Sequence, residues 1–233
     1  MKKAGVVIFV AALGIGLVVA NAFSFGRVGN RMFKFSMDFG GVHGSGNLGT
    51  DKRLISGFKS VEAGGVFQLE ITAQKEFGVE VEADDNLLPM IRTEVDGGVL
   101  RIETDKHFKT SNPIRVRISA PDIEKLDISG VANVTLDNVK NSELAIESSG
   151  ASKIKVSGET AKLNVDVSGA TKINADDLKS VNAVIDASGA SFVSVNVTGD
   201  IRSDVSGASR VVYSGTPTNV STKKTGVSSV SAK

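Results

Sequence analysis

The chain has 233 residues, with 27 Lys and Arg against 26 Asp and Glu, 25 Gly, two His, and neither Cys nor Trp. Without cysteine there is no disulfide framework, thiolate metal site, thiol nucleophile or lipidated N-terminal Cys. A net charge of +1 lacks the basic excess of nucleic-acid binders, and glycine without a Gly-X-Y period excludes collagen. Most catalytic classes fall away at once, and neither a cofactor nor a metal is expected.

Met1-Lys2-Lys3 is a short positive segment, and Ala4 to Ala20 is an uncharged run of 17 residues rich in Val, Ile, Leu, Ala and Gly. Ala20-Asn21-Ala22 reads as an A-x-A cleavage site. Nothing polar recurs at helical spacing to give the run a solvent face, so residues 1–22 are expected to be a hydrophobic helix acting as a cleaved export signal or a retained signal anchor. Either way Lys2 and Lys3 stay inside and the rest of the chain lies outside the cytoplasmic membrane. Membrane contact follows only if the segment is kept.

Residues 23–52 read as a connector. Phe33, Phe35, Met37 and Phe39 alternate with Lys34, Ser36 and Asp38 at strand period, packing on the end of the fold or dipping into a membrane interface. Gly40 to Asn47, which includes His43, reads as a flexible loop.

A single domain is expected over residues 53–233, with cap and early rungs at 53–127 and repeats at 128–233. In the first part, Val61 to Ile71 carries a Gly64-Gly65 corner and reads as an early rung. Val79 to Ala83 alternates as a strand, and Asp84 to Arg92 looks like a capped short helical turn. Glu94 to Ile102 looks like a hairpin turning at Gly97-Gly98, and Ile114, Val116 and Ile118 alternate again. His107 falls in an exposed charged loop.

From residue 128 a tripeptide recurs: Ser129-Gly130-Val131, Ser149-Gly150-Ala151, Ser168-Gly169-Ala170, Ser188-Gly189-Ala190, Ser206-Gly207-Ala208 and Thr225-Gly226-Val227. The glycines are 20, 19, 20, 18 and 19 residues apart, which is the signature of a solenoid. Four residues after each stand Val134, Ile154, Ile173, Val193, Val211 and Val230, and four before stand Leu126, Ile146, Val165, Ile185, Ser203 and Thr222. Period-2 stripes on both sides of a glycine corner mean strands without helix. A coil regaining its register about every 19 residues is a parallel β-helix, all-β, each rung pairing with the next at about 4.8 Å. The alternative, a β-sandwich, gives no reason for six corners in phase.

Arg53…Phe58…Val61, the segment Asn86-Leu87-Leu88-Pro89…Gly97-Gly98-Val99-Leu100 and the stacked Ser-Gly-Ala repeats resemble the bacterial family described as putative auto-transporter adhesin, head GIN domain. The resemblance spans roughly residues 50–220. It implies a right-handed β-helix on an envelope or surface protein and brings no catalytic motif.

Two outward columns flank the corner. Three residues before each glycine stand Asp127, Glu147, Asp166, Asp186 and Asp204, then Lys223. Three after stand Asn133, Lys153, Lys172, Phe192, Arg210 and Ser229. Stacked carboxylates about 4.8 Å apart repel by about 0.9 kcal/mol in water. The acidic column reads as a Ca²⁺ or charged-ligand edge, or as a solvated face balanced by its basic neighbour. The basic column reads as a grip on an anionic glycan with Phe192 as a platform, or as a soluble face with a cation–π contact. Asp84/Asp85 and Asp176/Asp177 read as turn residues rather than a catalytic pair.

The reading is therefore an exported, non-catalytic, adhesin-like binding module of the periplasm, cell envelope or cell surface. Its partner would be an envelope or surface ligand, a glycan or a protein, and not nucleic acid. The alternatives are a polysaccharide-active β-helix enzyme and a structural component assembling end to end.

Overall fold

A computed structural model describes residues 41–105 and 108–233. The hydrophobic helix expected at residues 1–22, the Phe stripe of the connector and the loop position of His107 lie outside the described residues. Among those described, no helix is long and apolar enough to cross a membrane.

The described chain is all-β. In order the strands are β1 (Val42–His43), β2 (Leu48–Arg53), β3 (Ser60–Thr72), β4 (Gly78–Asp84), β5 (Ile91–Asp96), β6 (Val99–Thr104), β7 (Phe108–Lys109) and β8 (Arg115–Ser119). The repeats follow as β9 (Lys125–Gly169), β10 (Lys172–Ala187), β11 (Phe192–Val197), β12 (Asp200–Val205), β13 (Arg210–Ser214), β14 (Asn219–Lys224) and β15 (Ser229–Ala232). Among the described residues the only other regular element is a 3₁₀ turn, Leu88–Met90.

The repeat spacing reappears as strand register. β10 lies parallel on β9, pairing Lys172 with Lys153 and, after a bulge between Asn174 and Asp177, Ala187 with Val167. Ile201 of β12 pairs with Ala183, and Val220 of β14 with Ile201. On the other side of the corner Phe192 pairs with Lys172, Arg210 with Phe192, and Ser229 with Arg210. These offsets follow the glycine spacings because the glycines themselves stack. A Cβ built on Gly189, which has φ +79°, would stand 2.5 Å from the carbonyl oxygen of Gly169. The corner backbones approach too closely for any side chain, and the left-handed φ disfavours one further.

Residues 61–71, expected to be strand around a Gly64-Gly65 corner, lie within β3. β3 pairs in parallel with β9 from Ser60–Lys125 to Thr72–Asp137, with Gly65 opposite Gly130. Alternation puts Leu126, Ile128, Val134 and Leu136 inside, beside Val61, Ala63, Leu69 and Ile71 of β3. The core continues through Ile154, Val165, Ile173, Ile185, Val193 and Val205.

At the N-terminal end the sheet changes direction. β3 divides its outer edge, Ser60–Ala63 pairing with β6 and Gln68–Thr72 with β8. β5 and β6 form the hairpin expected at Glu94–Ile102, turning through Gly97 and Gly98, both at positive φ. β4 lies antiparallel between β8 and β2. The Arg53 guanidinium ties the ends of these sheets together. It donates to Ile91 O at 2.6 Å, Thr93 Oγ1 at 2.8 Å and Leu88 O at 3.1 Å.

Two expectations need correction. Residues 41–47 are not simply a loose loop: β1 pairs in parallel with β7, and the Asn86 amide donates to His43 O. Together with β2, this places regular strands inside the span 23–52 expected to be connector. The turn at 88–90 has no side-chain cap. Its N-cap position is Leu87, and Asp84, at the start of the expected segment, is buried and turns its carboxylate to Thr110 Oγ1 at 2.7 Å and the Asn112 amide at 2.5 Å.

Candidate binding faces

The outward positions before the corner form the acidic face. Direct registers set Asp166 beside Asp186, Asp186 beside Asp204, and Asp204 beside Lys223. Asp127 lies beside Glu62, and its carboxyl feels both Glu62 and Glu147. The column therefore has a sixth acid that the tripeptide alignment passed over. Glu62 stands three residues before Gly65, so the signal was present, but the early corner reads Gly64-Gly65 rather than Ser-Gly.

Cations close this column at both ends. Arg101 stands opposite Glu62, Nε to Oε2 at 3.2 Å, and Lys223 reaches Asp204 at 3.0 Å. Between them Lys125 reaches Glu147 at 2.8 Å, which holds the Lys125 ammonium above its usual range. Burial first, and then the charge of Glu147, push the Asp127 carboxyl above the usual carboxylate range, with Lys125 opposing. No group of three or more His, Asp or Glu among the described residues is arranged to hold a metal ion. The acidic column is a ladder of separate carboxylates, with Lys125 the cation that reaches it between its ends among the described residues.

The positions after the corner form the second face. Lys153, Lys172, Phe192, Arg210 and Ser229 stand side by side on successive strands. The Lys172 ammonium lies 5.5 Å from the centre of the Phe192 ring, a cation–π distance. Among the described residues, Lys153, Lys172 and Arg210 have no carboxylate within 4 Å. Lys155, on the same face, is engaged by Asp177 at 3.2 Å. Asp176 points elsewhere, to Ser194 Oγ and the Lys233 ammonium, so the adjacent aspartates serve separate contacts.

Towards β2 the same face becomes a neutralised lattice. Arg115 and Arg117 on β8 are gripped from one side by Glu70 and from the other by Glu80 and Glu82. Registers bring the groups together: Glu80 opposite Arg117, Glu82 opposite Arg115, and Glu70 beside Arg117. Half-exposed pairs of this kind each contribute little to stability, but they occupy both arginines of β8.

Between the two faces runs the corner. Val66, Val131, Ala151, Ala170, Ala190, Ala208 and Val227, each one residue after a corner glycine, are exposed. Beneath it lies a column that sequence reading missed: Ser152, Thr171, Ser191 and Ser209 are buried two residues after the glycines. Ser191 Oγ donates to Ser188 O at 3.0 Å, and Ser209 Oγ to Gly189 O at 3.3 Å. The Ser191 and Ser209 hydroxyls satisfy carbonyls of the bend, whereas Thr171 Oγ1 pairs with Ser148 Oγ at 3.1 Å.

The family described as putative auto-transporter adhesin, head GIN domain, matches residues 57–217. The chain belongs to this family. The match runs from the residue before Phe58 to beyond β13, so it takes in most of the cap and both columns as far as Asp204 and Arg210. A solved putative adhesin from Bacteroides fragilis is 21% identical and superposes with a TM-score of 0.69, covering 83% of this chain and all of its own. A putative adhesin from Parabacteroides merdae is 18% identical, with a TM-score of 0.49 over 82% of this chain and 98% of its own. A structure from Parabacteroides distasonis titled putative lipid binding protein is also 18% identical, with a TM-score of 0.44 over 82% of this chain and 99% of its own. The Bacteroides structure shares the fold. No curated protein matches the sequence.

Proposed function

We propose that the GIN-family domain is a right-handed parallel β-helix that acts as an exported, non-catalytic, adhesin-like module. Its basic face would take an anionic surface polymer such as an acidic glycan. The observation carrying this reading is the contrast between the two faces. In the acidic column Glu62, Glu147 and Asp204 are met by Arg101, Lys125 and Lys223, and the arginines of the cap lattice are matched by its own glutamates. Lys153, Lys172 and Arg210 stand on adjoining strands with no carboxylate partner among the described residues, next to the ring of Phe192.

Strand spacing of about 4.8 Å sets these cations at a repeat that a flexible acidic chain can follow along the stack. The hand of the coil follows the general preference of parallel crossovers, and residues 1–22 supply the route of export. The bound partner would be recognised by charge and by one aromatic platform, without a deep pocket. A glycan array probed with the full chain tests this. Retention on uronate-bearing or sulfated glycans, weakened by salt, supports the reading; retention on neutral glycans alone contradicts it.

A further inference from the structure

An open groove of about 730 Å³ lies at the N-terminal end, where β2, β4, β8 and β3 finish side by side. Its volume is that of a pocket for one small ligand. The floor follows from register. Gly78 pairs with Ser119, Ser119 with Thr72, and Glu80 with Arg117. Strand alternation gives Gly78 an outward position next to the buried Val79, so the surface dips where a side chain would otherwise stand. A Cβ there would meet only Ser119 Oγ, at 2.9 Å.

One part of the wall is apolar, among polar and charged neighbours. Phe77 leans on Phe58 with ring centres 5.2 Å apart, Ile55 packs against the core, and Leu54 is wholly exposed. A leucine left in water forgoes about 2 kcal/mol of burial, and nothing in the fold requires one here. Most of the charge at the groove is already spent. Arg53 is bound to backbone carbonyls and Asp51, and Arg117 to Glu70, Glu80 and Glu82. Lys52 makes only a 3.9 Å contact with Glu80 from a largely exposed side chain. Lys75, on the groove lining, has no carboxylate within 4 Å among the described residues.

We infer that this groove binds a single-chain anionic amphiphile. The alkyl chain lies over Gly78 against Leu54, Ile55 and Phe77, and the acid head is held by Lys75 and Lys52. A carboxylate and a phosphate head share this chemistry. The inference is independent of the basic face, which lies further along the stack on β9 to β13.

Isothermal titration of the full chain with dodecanoate, dodecyl phosphate and dodecanol, each below its micellar concentration, tests it. Saturable one-to-one binding of an acid, at least tenfold tighter than the alcohol, is expected, and the tighter acid identifies the head group. Gly78→Leu fills the dip and should weaken binding at least tenfold with little change in melting temperature. Lys75→Glu should weaken both acids and leave dodecanol unchanged. Binding by the apolar residues 4–20 would be common to every variant and cancels in the comparison. Absence of saturable binding, equal affinity for acid and alcohol, or full affinity in Gly78→Leu and Lys75→Glu would overturn the inference.

Discussion

Replacing Gly189 by alanine tests the stacked corner most sharply, since one methyl group meets both of its physical requirements. At φ +79° an L-residue pays about 1–2 kcal/mol of local strain. The added Cβ would also lie 2.5 Å from Gly169 O, 2.9 Å from Gly169 N and 3.2 Å from Gly169 C. Ordinary contact begins near 3.4 Å, so the rungs must part by about 0.9 Å, the difference from the closest of these distances. That displacement stretches the 2.8 Å bond from Ala190 N to Gly169 O and its neighbour from Ser188 N to Val167 O, also 2.8 Å. Each bond contributes about 1 kcal/mol net, giving a total loss of about 3–4 kcal/mol. Urea unfolding followed by far-UV circular dichroism measures it, with Ala190→Ser, an outward substitution at the next residue, as control. A loss below 1 kcal/mol for Gly189→Ala, or equal losses for the two variants, would refute the close-stacking argument.

Other perturbations have definite outcomes. Arg53→Ala removes three hydrogen bonds that join the two sheet ends and should cost about 2–3 kcal/mol in the same urea assay. Asp84 is held below the usual carboxylate range by Asn112 and Thr110. Its folded state binds a proton less readily than its unfolded state, so its stabilisation is present above the unfolded value and lost as pH falls through the folded one. Asp84→Asn should therefore flatten the acid side of a melting-temperature profile between pH 6 and pH 2. Asp127 has the opposite sign. Burial and Glu147 raise its carboxyl, so its charged form opposes folding as pH rises past the unfolded value. Asp127→Asn should raise the melting temperature at pH 7 and leave it unchanged at pH 2.

The repeating half was legible because one constraint recurs in it. No side chain fits at the corner, so glycine returns at each stacked corner, and alternation then assigns Val134, Ile154 and Ile173 inward and Lys153 and Lys172 outward. Register follows from that phase, and so does the adjacency of the two columns. The buried hydroxyls at Ser191 and Ser209 were not legible, because inward serine contradicts binary patterning until the carbonyls of the bend are seen. The cap was harder for a different reason. β2 reads Leu-Gly-Thr-Asp-Lys-Arg, without an apolar stripe, since it is an edge strand joined to β4 by backbone pairing and held by Arg53. Its groove comes from Gly78 and the segment after Arg53, neither of which carries a motif. Asp84 and Arg117 likewise take their roles from partners 26 to 37 residues away. A sequence shows local period readily and such distant pairings hardly at all.

The central functional claim is that unpaired cations after the corner hold an anionic polymer. Titration of the full chain with polygalacturonate, in low salt, addresses it directly with two charge-reversed proteins, Lys153→Glu/Arg210→Glu and Asp166→Lys/Asp186→Lys. Both pairs are outward side chains on strands of the same sheet, so each change is tolerated by the fold to a similar degree. The account predicts at least a tenfold loss of affinity in the first protein, and equal or tighter binding in the second. Equal affinity in the first protein and the unaltered chain, or a loss confined to the second, would contradict it.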